Sequence, residues 1–294
     1  MIHRENAQTQ SRAPNQIGNI DFLVVGTYRA GTTWLHSVFE QHPDIYVTAE
    51  KETMFFSHHY DKGAQWYRSF FANRSQEAIA GEICPTYLGG EDCAPRIYND
   101  LPDARIIAIL RRPSEQIHSL YRLHRQRGLT DRTFAEGLRS DPEYLAGVQY
   151  FQQLSAYLER FPPERIHISL YDDLESDQRS FLTRLYRFLG VQPSFPEEIM
   201  SQKVNRISAL RYPAVERLLS HGAQALRDRG LLRVKLLLGR VGLHRLIRKF
   251  NQRIEAAGQQ PVLPAAELEM IRRSTEDDRA RLGALLGRDL RQWF

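Results

Sequence analysis

A stretch that begins at Gly26, Gly-Thr-Tyr-Arg-Ala-Gly-Thr-Thr, has the residue types and the spacing of a loop that binds a phosphate group. Four residues separate Gly26 from Gly31, and Thr33 supplies a hydroxyl, as in the pattern G-x-x-x-x-G-K-[ST]. Thr32 replaces the lysine of that pattern, and the only cation inside the loop is Arg29. The loop therefore predicts a phosphate site without the lysine that reaches the end of a triphosphate.

The segments on both sides of this loop are suited to position it. Phe22 to Val25 is an apolar run rich in β-branched residues, which is typical of a buried strand. An amphipathic helix is predicted to begin at Thr32. A strand, a glycine loop and a helix together direct backbone N–H groups and the positive end of a helix at one phosphate. The loop alone leaves open an alternative, a glycine turn that only lets the helix pack closely on the strand.

A second pair of residues suited to a phosphate follows Arg105–Leu110, an apolar run that predicts another buried strand. Arg111 stands at the end of this run, and Ser119 follows eight residues later on a helix predicted to begin near Pro113. An arginine offers charge and a serine offers a directed hydrogen bond, which together suit a phosphate monoester. Taken alone, the pair is more typical of a surface arginine and an ordinary helical serine.

Strands and helices alternate along the first two thirds of the chain. Further strands are predicted at Ile45–Val47, Ala78–Cys84 and Arg165–Tyr171. A helix is predicted at Lys62–Phe71, with a buried aromatic side made of Trp66, Tyr67, Phe70 and Phe71. This alternation predicts right-handed crossovers and therefore an α/β, P-loop-like three-layer fold, in which helices flank a central parallel sheet. Ligands of such sheets bind at the carboxyl ends of the strands, so we expect both phosphate-suited segments and Lys51–Glu52 to converge on one cleft.

The length of 294 residues predicts one large domain, here residues 19–294, after a flexible N-terminal arm at residues 1–18. Within that domain we expect a nucleotide-binding α/β core at residues 19–195. Residues 196–294 are expected to form a mostly helical C-terminal extension. The sequence does not predict the oligomeric state.

The composition is that of an ordinary globular protein, with 42% hydrophobic and 26% charged residues. Cys84 and Cys93 are the only cysteines, which are too few for a disulfide framework or a metal-ligand cluster and fit a reducing compartment. The N-terminus shows no apolar signal segment, and no apolar run approaches the length that spans a bilayer. A cytoplasmic location is therefore expected.

The formal charge of +5 is concentrated in one segment. Residues 217–253 contain ten arginines and lysines and one aspartate, so the rest of the chain carries a formal charge of −4. This distribution argues against a protein that coats nucleic acid. Leucines between the arginines form an amphipathic basic pattern, which predicts a peripheral membrane contact, a lid over an anionic acceptor, or a solvated helical cap.

Several motifs occur in the order that is found in sulfotransferases using 3′-phosphoadenosine-5′-phosphosulfate (PAPS), and the chain resembles their carbohydrate, heparan-sulfate-like branch. The glycine loop resembles the 5′-phosphosulfate loop, and Leu110–Tyr121 resembles the 3′-phosphate segment R-[ND]-P-x-x-R-x-x-S-x-Y. The stretch from Lys51 to Phe56 is similar to K-E-x-x-F-F, and Gly81–Tyr87 falls where the branch has G-E-K-[ST]-P-x-Y. The resemblance covers about residues 20–190 and, weakly, the final helix.

This resemblance implies in-line transfer of a sulfuryl group from PAPS to a hydroxyl or amine of a glycan, glycolipid or small natural product, without a metal. Glu52 is implied as the general base, with Arg29 and Lys51 beside the transferring group. The residues implied in donor binding are Arg29, Ala30, Gly31, Thr32 and Thr33 at the 5′-phosphosulfate, Trp34 at the adenine, and Arg111 and Ser119 at the 3′-phosphate.

Other positions depart from the pattern of the glycan branch. Arg29 stands where many members have lysine, and Ile83 stands where a sulfate-contacting lysine is common. The remaining departures are Arg112 and Gln116 in the 3′-phosphate segment, and Met54 and Ser57 in place of a histidine and an aspartate that help to bind the glycan. The donor half of the resemblance is therefore closer than the acceptor half.

Alternatives remain open at this point. His58 and His59 are rival bases, since some sulfotransferases use histidine. A P-loop kinase or nucleotidase would need an acid for Mg²⁺ after a strand, for which Asp172 and Asp173 are the candidates. The chain could also bind a nucleotide without catalysis, or act as a membrane-surface adaptor through residues 217–253.

Overall fold

The computed structural model describes residues 17–200 and 263–293 together with two short strands at Ser208–Leu210 and Gln252–Ile254. The predicted arm at residues 1–18 lies outside the described residues except for Ile17 and Gly18. The basic segment 217–253 also lies outside them, apart from its last two residues. The chain forms two compact units: the first contains residues up to 28, 32–110 and 152–196, and the second contains residues 29–31, 111–151 and those from 197 onward.

The centre of the first unit is a five-stranded parallel sheet with the strand order β2-β3-β1-β4-β5. Its strands are β1 (Phe22–Gly26), β2 (Ile45–Val47), β3 (Ile79–Ile83), β4 (Arg105–Leu110) and β5 (Ile166–Leu170). Every residue of β1, β2 and β3 is buried, as expected of strands that helices cover on both faces. The predicted α/β fold with a parallel sheet is confirmed, and all five predicted strands are present.

Two glycines allow β1 to approach its neighbours closely. A Cβ atom at Gly81 of β3 would lie 2.4 Å from the carbonyl oxygen of Phe22. A Cβ atom at Gly26, the last residue of β1, would lie 2.5 Å from the Cβ of Leu88. Neither position can accept a side chain without displacement of its neighbour. These glycines therefore fix how β3 and the following turn pack beside the start of Gly26–Thr33, here named the phosphate-type loop.

Helices flank the sheet within the first unit and make up most of the described part of the second. The helices in chain order are α1 (Thr32–Glu40), α2 (Phe55–His58), α3 (Gly63–Arg68), α4 (Cys93–Asp100), α5 (Pro113–Gln126), α6 (Phe134–Ser140), α7 (Glu143–Ala146), α8 (Tyr150–Leu158), α9 (Tyr171–Ser176), α10 (Gln178–Leu189), α11 (Glu197–Met200), α12 (Ala265–Ser274) and α13 (Glu276–Leu286). Among the described residues, no helix combines the length and the hydropathy needed to cross a bilayer.

The helix predicted at Lys62–Phe71 is interrupted. Its ends are 3₁₀ turns at Tyr60–Lys62 and Ser69–Phe71, and only α3 between them is α-helical. Gly63 has a φ of +73°, outside the helical range, so the chain cannot continue as one helix from Lys62. The buried side was also partly wrong: Tyr67 and Phe70 are buried, as predicted, whereas Trp66 and Phe71 are half-buried.

The described part of the chain after residue 196 is mostly helical, and the expected extent of the C-terminal extension stays a prediction. It contains α11, α12 and α13, and also the antiparallel strands β6 (Ser208–Leu210) and β7 (Gln252–Ile254). These strands are three residues long. Their residues, Ser-Ala-Leu and Gln-Arg-Ile, lack the apolar run that predicted the equally short β2.

Both cysteines of the first unit are free and buried. Burial raises the pKa of the Cys84 thiol well above its usual value, and it raises the pKa of the Cys93 thiol to about 12. Cys84 directly follows β3, and Cys93 is the first residue of α4.

Candidate functional site

The phosphate-type loop has the predicted frame of strand, glycine loop and helix. Gly26 ends β1, and Thr32 begins α1, so both threonines lie in the first turn of the helix. Gly31 has a φ of +79°, a left-handed conformation that glycine adopts without strain. The side chain of Ala30 is completely buried, so this residue can contribute only backbone groups to a ligand. The N-terminus of α1 is thereby suited to an anion.

Lys51 connects the predicted base to the loop helix in the first unit. Its Nζ donates to Thr33 Oγ1 at 3.2 Å and to Glu52 Oε1 at 2.5 Å. The side chains of Lys51 and Glu52 are 22% and 25% exposed, so a ligand in solvent can reach both. A cation, a hydroxyl and a carboxylate, all predicted from the sequence, thus lie together at the start of α1.

The residues Thr48–Met54, here named the base segment, have an unusual backbone. Glu52 has a φ of +65° and Met54 a φ of +57°, both in the left-handed region. For residues with a Cβ atom this region costs about 1–2 kcal/mol per residue. Such a conformation persists only where the surrounding structure holds it.

A buried histidine holds the beginning of the base segment. His36 of α1 is hydrogen-bonded through Nε2 to the carbonyl oxygen of Thr48 at 2.9 Å. A carbonyl only accepts, so His36 Nε2 carries the proton in this contact. Burial lowers the pKa of His36, which favours the neutral ring. The hydroxyl of Thr48 in turn donates to the carbonyl of Glu50 at 2.9 Å.

A buried carboxylate holds the other end of the base segment. Glu82 of β3 is completely buried, and its Oε1 accepts the backbone N–H of Thr53 at 2.7 Å. Its Oε2 accepts the hydroxyls of Tyr67 at 2.7 Å and Tyr87 at 3.0 Å. Burial raises the pKa of Glu82. Burial and, after it, the charge of Glu82 raise the pKa of both tyrosines, so their hydroxyls remain donors.

Three predicted donor-binding residues come together in the second unit. Arg29 Nε donates to Ser119 Oγ at 2.9 Å, and Arg111 Nη1 donates to the carbonyl oxygen of Arg29 at 2.9 Å. Arg111 also forms an ion pair with Glu115 one helical turn later, with Nε and Nη2 at 3.1 and 3.0 Å from Oε2. We name Arg29, Arg111, Glu115 and Ser119 the arginine cluster. Two guanidinium groups and a hydroxyl make it suited to phosphate.

The sequence analysis did not identify Glu115 and Tyr150 as partners of Arg111. Glu115 stands four residues after Arg111, and this i,i+4 spacing on a predicted helix was the available signal. Tyr150 donates its hydroxyl to the carbonyl oxygen of Arg111 at 2.8 Å. Burial raises the pKa of Tyr150, which keeps this donor protonated. Glu82, Tyr67 and Tyr87 were also missed as partners, although Glu82 and Tyr87 belong to the G-E-x-x-P-x-Y stretch.

Among the buried polar atoms without a hydrogen-bond partner within the described residues, two belong to residues of the sequence motifs, Trp34 and Gln116. Trp34 is 8% exposed, and its indole Nε1 is buried without an acceptor there. Gln116, in the second unit, is 1% exposed, and its Oε1 is buried without a donor. A buried polar atom left unpaired costs about 1–3 kcal/mol. Trp34 can therefore offer an N–H to a ligand acceptor, and its stacking on adenine stays a prediction.

The structure also locates the two rival bases, the position where a lysine is common in the family, and one candidate acid for Mg²⁺. His58 is exposed at the end of α2, and His59 makes an edge-on contact with the ring of Trp66, with centroids 5.4 Å apart. Ile83 is completely buried in β3. Asp173, in α9, faces Arg184 at 3.8 Å. Over the described ranges, no three His, Cys, Asp or Glu side chains are grouped as metal ligands would be.

A comparison against protein families identifies the family of the chain. The family described as a sulfotransferase domain matches residues 19–212 of the chain. The chain belongs to this sulfotransferase family. The matched range includes the loop, the base segment, the arginine cluster and all five strands of the parallel sheet.

Named relatives are similar at low identity. The "Membrane-associated sulfotransferase kil1" of Dictyostelium discoideum is 25% identical over 263 residues, which cover 58% of this chain and 56% of that protein. The "Heparan sulfate glucosamine 3-O-sulfotransferase 6" of Mus musculus is 29% identical over 178 residues, which cover 58% of this chain and 52% of that protein. The chain thus spans little more than half the length of these curated relatives.

A solved structure extends the likeness to the fold. The crystal structure of a sulfotransferase from Alicyclobacillus acidocaldarius superposes with a TM-score of 0.66 at 22% sequence identity. The match covers 94% of this chain and 99% of that one. The two chains therefore share the sulfotransferase fold.

Proposed function

We propose that this chain is a sulfotransferase that moves the sulfuryl group of PAPS to a hydroxyl or amine of an acceptor, with Glu52 as the general base. The observation that carries the proposal is the double contact of Lys51. Its Nζ reaches both Thr33 Oγ1, in the first turn of the loop helix, and Glu52 Oε1. A base and a cation are thus fixed beside the helix end that is suited to an anion.

Binding of the donor is supported by the residues of the loop and of the arginine cluster. The N–H groups at the start of α1 and the hydroxyl of Thr33 suit the 5′-phosphosulfate. Arg111 and Ser119 suit a second phosphate, which PAPS carries at its 3′ position. Arg29 stands in the loop and donates to Ser119, so its charge can serve either group. A nucleotide with two phosphate positions explains why the chain has two sets of anion-binding residues.

The proposed reaction requires few groups from the protein. The acceptor oxygen or nitrogen attacks sulfur while the bond between sulfur and the 5′-phosphate oxygen breaks, and that oxygen leaves with the electron pair. The acceptor proton passes to the carboxylate of Glu52. Lys51, Arg29 and the loop N–H groups stabilise the charge that builds on the sulfuryl and phosphate oxygens. The products are the sulfated acceptor and 3′-phosphoadenosine-5′-phosphate (PAP).

Glu52 is a better candidate for the base than His58, the last residue of α2, or His59, which follows it. It contacts Lys51, which in turn contacts the loop helix. His58 is exposed at the far end of a helical turn, and the ring of His59 packs against Trp66. The carboxylate is therefore the group whose connection to the phosphate-type loop can be followed through named contacts.

The acceptor is proposed only by class. Several relatives of the chain carry the names of heparan sulfate sulfotransferases, which favours a carbohydrate or glycolipid hydroxyl. Ser57 stands where those enzymes use an acid toward the glycan, and its hydroxyl lies 3.2 Å from Thr86 Oγ1. Small natural-product alcohols therefore belong among the acceptors to be tested. The proposed membrane contact through residues 217–253 concerns a segment outside the described residues.

A transfer assay with the whole chain tests the proposal. PAPS labelled in its sulfuryl group is incubated with the protein and with polysaccharide, glycolipid and small-alcohol acceptors, and labelled products are counted together with PAP. We expect transfer to at least one acceptor class and release of one PAP per sulfate transferred. A parallel incubation with ATP and Mg²⁺ tests the kinase alternative. Turnover of ATP without transfer from PAPS would overturn the proposal, and PAP binding without transfer would indicate a non-catalytic nucleotide-binding protein.

A further inference from the structure

We propose that Glu82 is the positioning residue of the reaction: its buried carboxylate holds the peptide after Glu52 and thereby aims the general base. This inference rests on the proposed function, since it gives Glu82 its role through Glu52. Glu82 does not itself contact the reacting groups, because it is completely buried within the first unit.

The backbone contact is placed where it controls Glu52. The N–H that Glu82 accepts belongs to Thr53, and it lies in the peptide plane that joins Thr53 to Glu52. Fixing this plane fixes the backbone of Glu52 on its C-terminal side. The residues before and after Thr53, Glu52 and Met54, both have left-handed torsions. The hydrogen bond to Glu82 therefore holds the midpoint of a conformation that the chain would not keep unaided.

A carboxylate suits this position better than an amide would. Glu82 receives three donors, the Thr53 N–H on Oε1 and the hydroxyls of Tyr67 and Tyr87 on Oε2. A carboxylate accepts at both oxygens, whereas a glutamine side chain has only one acceptor oxygen and presents an NH₂ group in place of the other. A glutamine whose oxygen keeps the Thr53 N–H would turn its NH₂ group toward Tyr67 and Tyr87. Their hydroxyls would then have to accept from it, and their own protons would lose the acceptor that Glu82 provides.

The partners of Glu82 are themselves held rigidly. The ring of Tyr67 stacks on Phe55 with centroids 4.4 Å apart and an angle of 9° between the planes. The ring of Tyr87 meets Phe56 edge-on at 5.5 Å. Because Phe55 and Phe56 directly follow the base segment, the same network fixes the chain on both sides of Thr53.

Glu82 also ties the base to the strand that carries the phosphate-type loop. In the parallel pairing of β1 with β3, Glu82 lies opposite Leu23, three residues before the loop begins at Gly26. The loop leaves the end of β1, and Glu82 reaches from β3 to Thr53. Neighbouring strands therefore carry the loop and the group that holds the base. This link places Glu52 relative to Thr33 without a direct contact between Glu82 and either side chain.

Stabilisation of the fold alone does not explain why the buried position 82 carries an ionisable carboxyl group. Burial opposes the charged form of Glu82, as the raised pKa shows. Well-packed uncharged side chains often stabilise a core as well as or better than buried ions do. The three donors directed at the carboxylate instead define one orientation for the segment that follows Glu52.

The test compares Glu82→Gln with a matched control, Asp21→Asn. Asp21 Oδ2 accepts the backbone N–H of Ala80 at 2.8 Å, so the control also changes a carboxylate that holds a backbone N–H, near the opposite end of β3. We expect Glu82→Gln to lower kcat about 10–100-fold, because a small misplacement of a catalytic group has effects of this size. Its KM for PAPS and its Kd for PAP should stay within about 3-fold, and Asp21→Asn should keep kcat within about 2-fold. An unchanged kcat in Glu82→Gln would overturn the proposal.

A double variant separates positioning from a general loss of structure. If Glu82 acts through Glu52, adding Glu82→Gln to Glu52→Gln should not lower the residual rate further. Multiplied losses in Glu52→Gln/Glu82→Gln would show that Glu82 acts by another route, and would contradict the proposal.

Hydrogen exchange tests the contact without any transfer assay. In Glu82→Gln we expect the Thr53 amide proton to exchange at least about 10-fold faster than in the unaltered chain, while the amide protons of β4 keep their rates. If the unaltered chain transfers no sulfuryl group, the proposed function fails, but this measurement still decides whether Glu82 holds the segment. Unchanged exchange at Thr53 would refute the positioning role even in an active enzyme.

Discussion

The base segment and the arginine cluster are both needed for the proposed reaction, and they are held in opposite ways. Buried groups hold the base segment: His36 contacts its first residue, and Glu82 contacts the backbone of Thr53. In the arginine cluster the buried Tyr150 holds only the backbone of Arg111, and the charged side chains are held by one another, among them Arg111 by Glu115. The difference indicates a fixed base and a set of cations that can exchange one anionic partner for another.

The energies of the two kinds of contact support this distinction. Leaving a buried donor or acceptor unpaired costs about 1–3 kcal/mol, so the Glu82 network does not open readily. Arg111 lies just before α5 and pairs with Glu115 in the first turn of that helix, and the two side chains are 11% and 20% exposed. A doubly charged phosphate that reaches Arg111 can compete with this single carboxylate. The first region maintains geometry, and the second supplies affinity.

The largest effect on kcat is expected when the carboxylate of Glu52 is replaced by an amide and the backbone of the base segment is unchanged. Glu52→Gln should lower kcat about 10²–10⁴-fold, the range that general base catalysis contributes. The affinity for PAP should not fall, because the proposed contacts to the nucleotide remain. Rates come from the transfer assay, and the PAP affinity comes from calorimetry. A rate within a few-fold of the unaltered chain would exclude Glu52 as the base and direct attention to His58 and His59.

A smaller effect is expected from breaking the arginine cluster. Arg111→Ala should weaken the binding of 3′,5′-bisphosphates about 10–100-fold, since hydrogen bonds to charged groups contribute about 1.5–3 kcal/mol. The binding of adenosine 5′-monophosphate should change far less. The neighbouring Arg112→Ala is the matched control, because that side chain is 40% exposed and lies 4.0 Å from Glu115. Equal losses for bisphosphate and monophosphate would contradict the assignment of Arg111 to the 3′-phosphate.

The smallest effect is expected on the affinity for PAP when Glu115 is replaced, and it tests whether a phosphate takes the place of Glu115 at Arg111. Glu115→Gln removes the anion that occupies Arg111 and should tighten the binding of PAP about 2–3-fold, in line with the weak ion pair. Calorimetric titrations at two salt concentrations would measure the change and its electrostatic origin. Weaker binding in Glu115→Gln would instead show that Glu115 orients Arg111 toward the phosphate.

Much of the architecture could be predicted because its signals are local. β1, and β4 after its first residue, are continuous apolar runs, and the loop between β1 and α1 has glycines at a fixed spacing. The contact of Lys51 with Glu52 joins sequence neighbours. The pairing of Arg29 with Ser119 spans 90 residues and was expected only as proximity at the carboxyl ends of parallel strands.

The features that escaped prediction depend on packing that no short segment reveals. Glu82 is a single charge inside a buried strand, and its partners lie 29, 15 and 5 residues away, at Thr53, Tyr67 and Tyr87. Nothing in its immediate neighbours shows that it faces a backbone N–H. The left-handed torsion of Glu52 is equally hidden, because a residue with a Cβ atom adopts it only under tertiary constraint.

The two buried cysteines can report on local unfolding of this protein, because their rate of alkylation depends on exposure of the thiols. Thiol reagents attack the thiolate, and burial holds both Cys84 and Cys93 in the thiol form. Alkylation therefore has to wait until the chain around each sulfur opens to solvent. Cys84 stands two residues after Glu82, so its labelling rate reports on the end of the strand that holds the base, while Cys93 reports on the start of α4. Mass spectrometry of the two peptides would follow both openings in the unaltered sequence, with no introduced label.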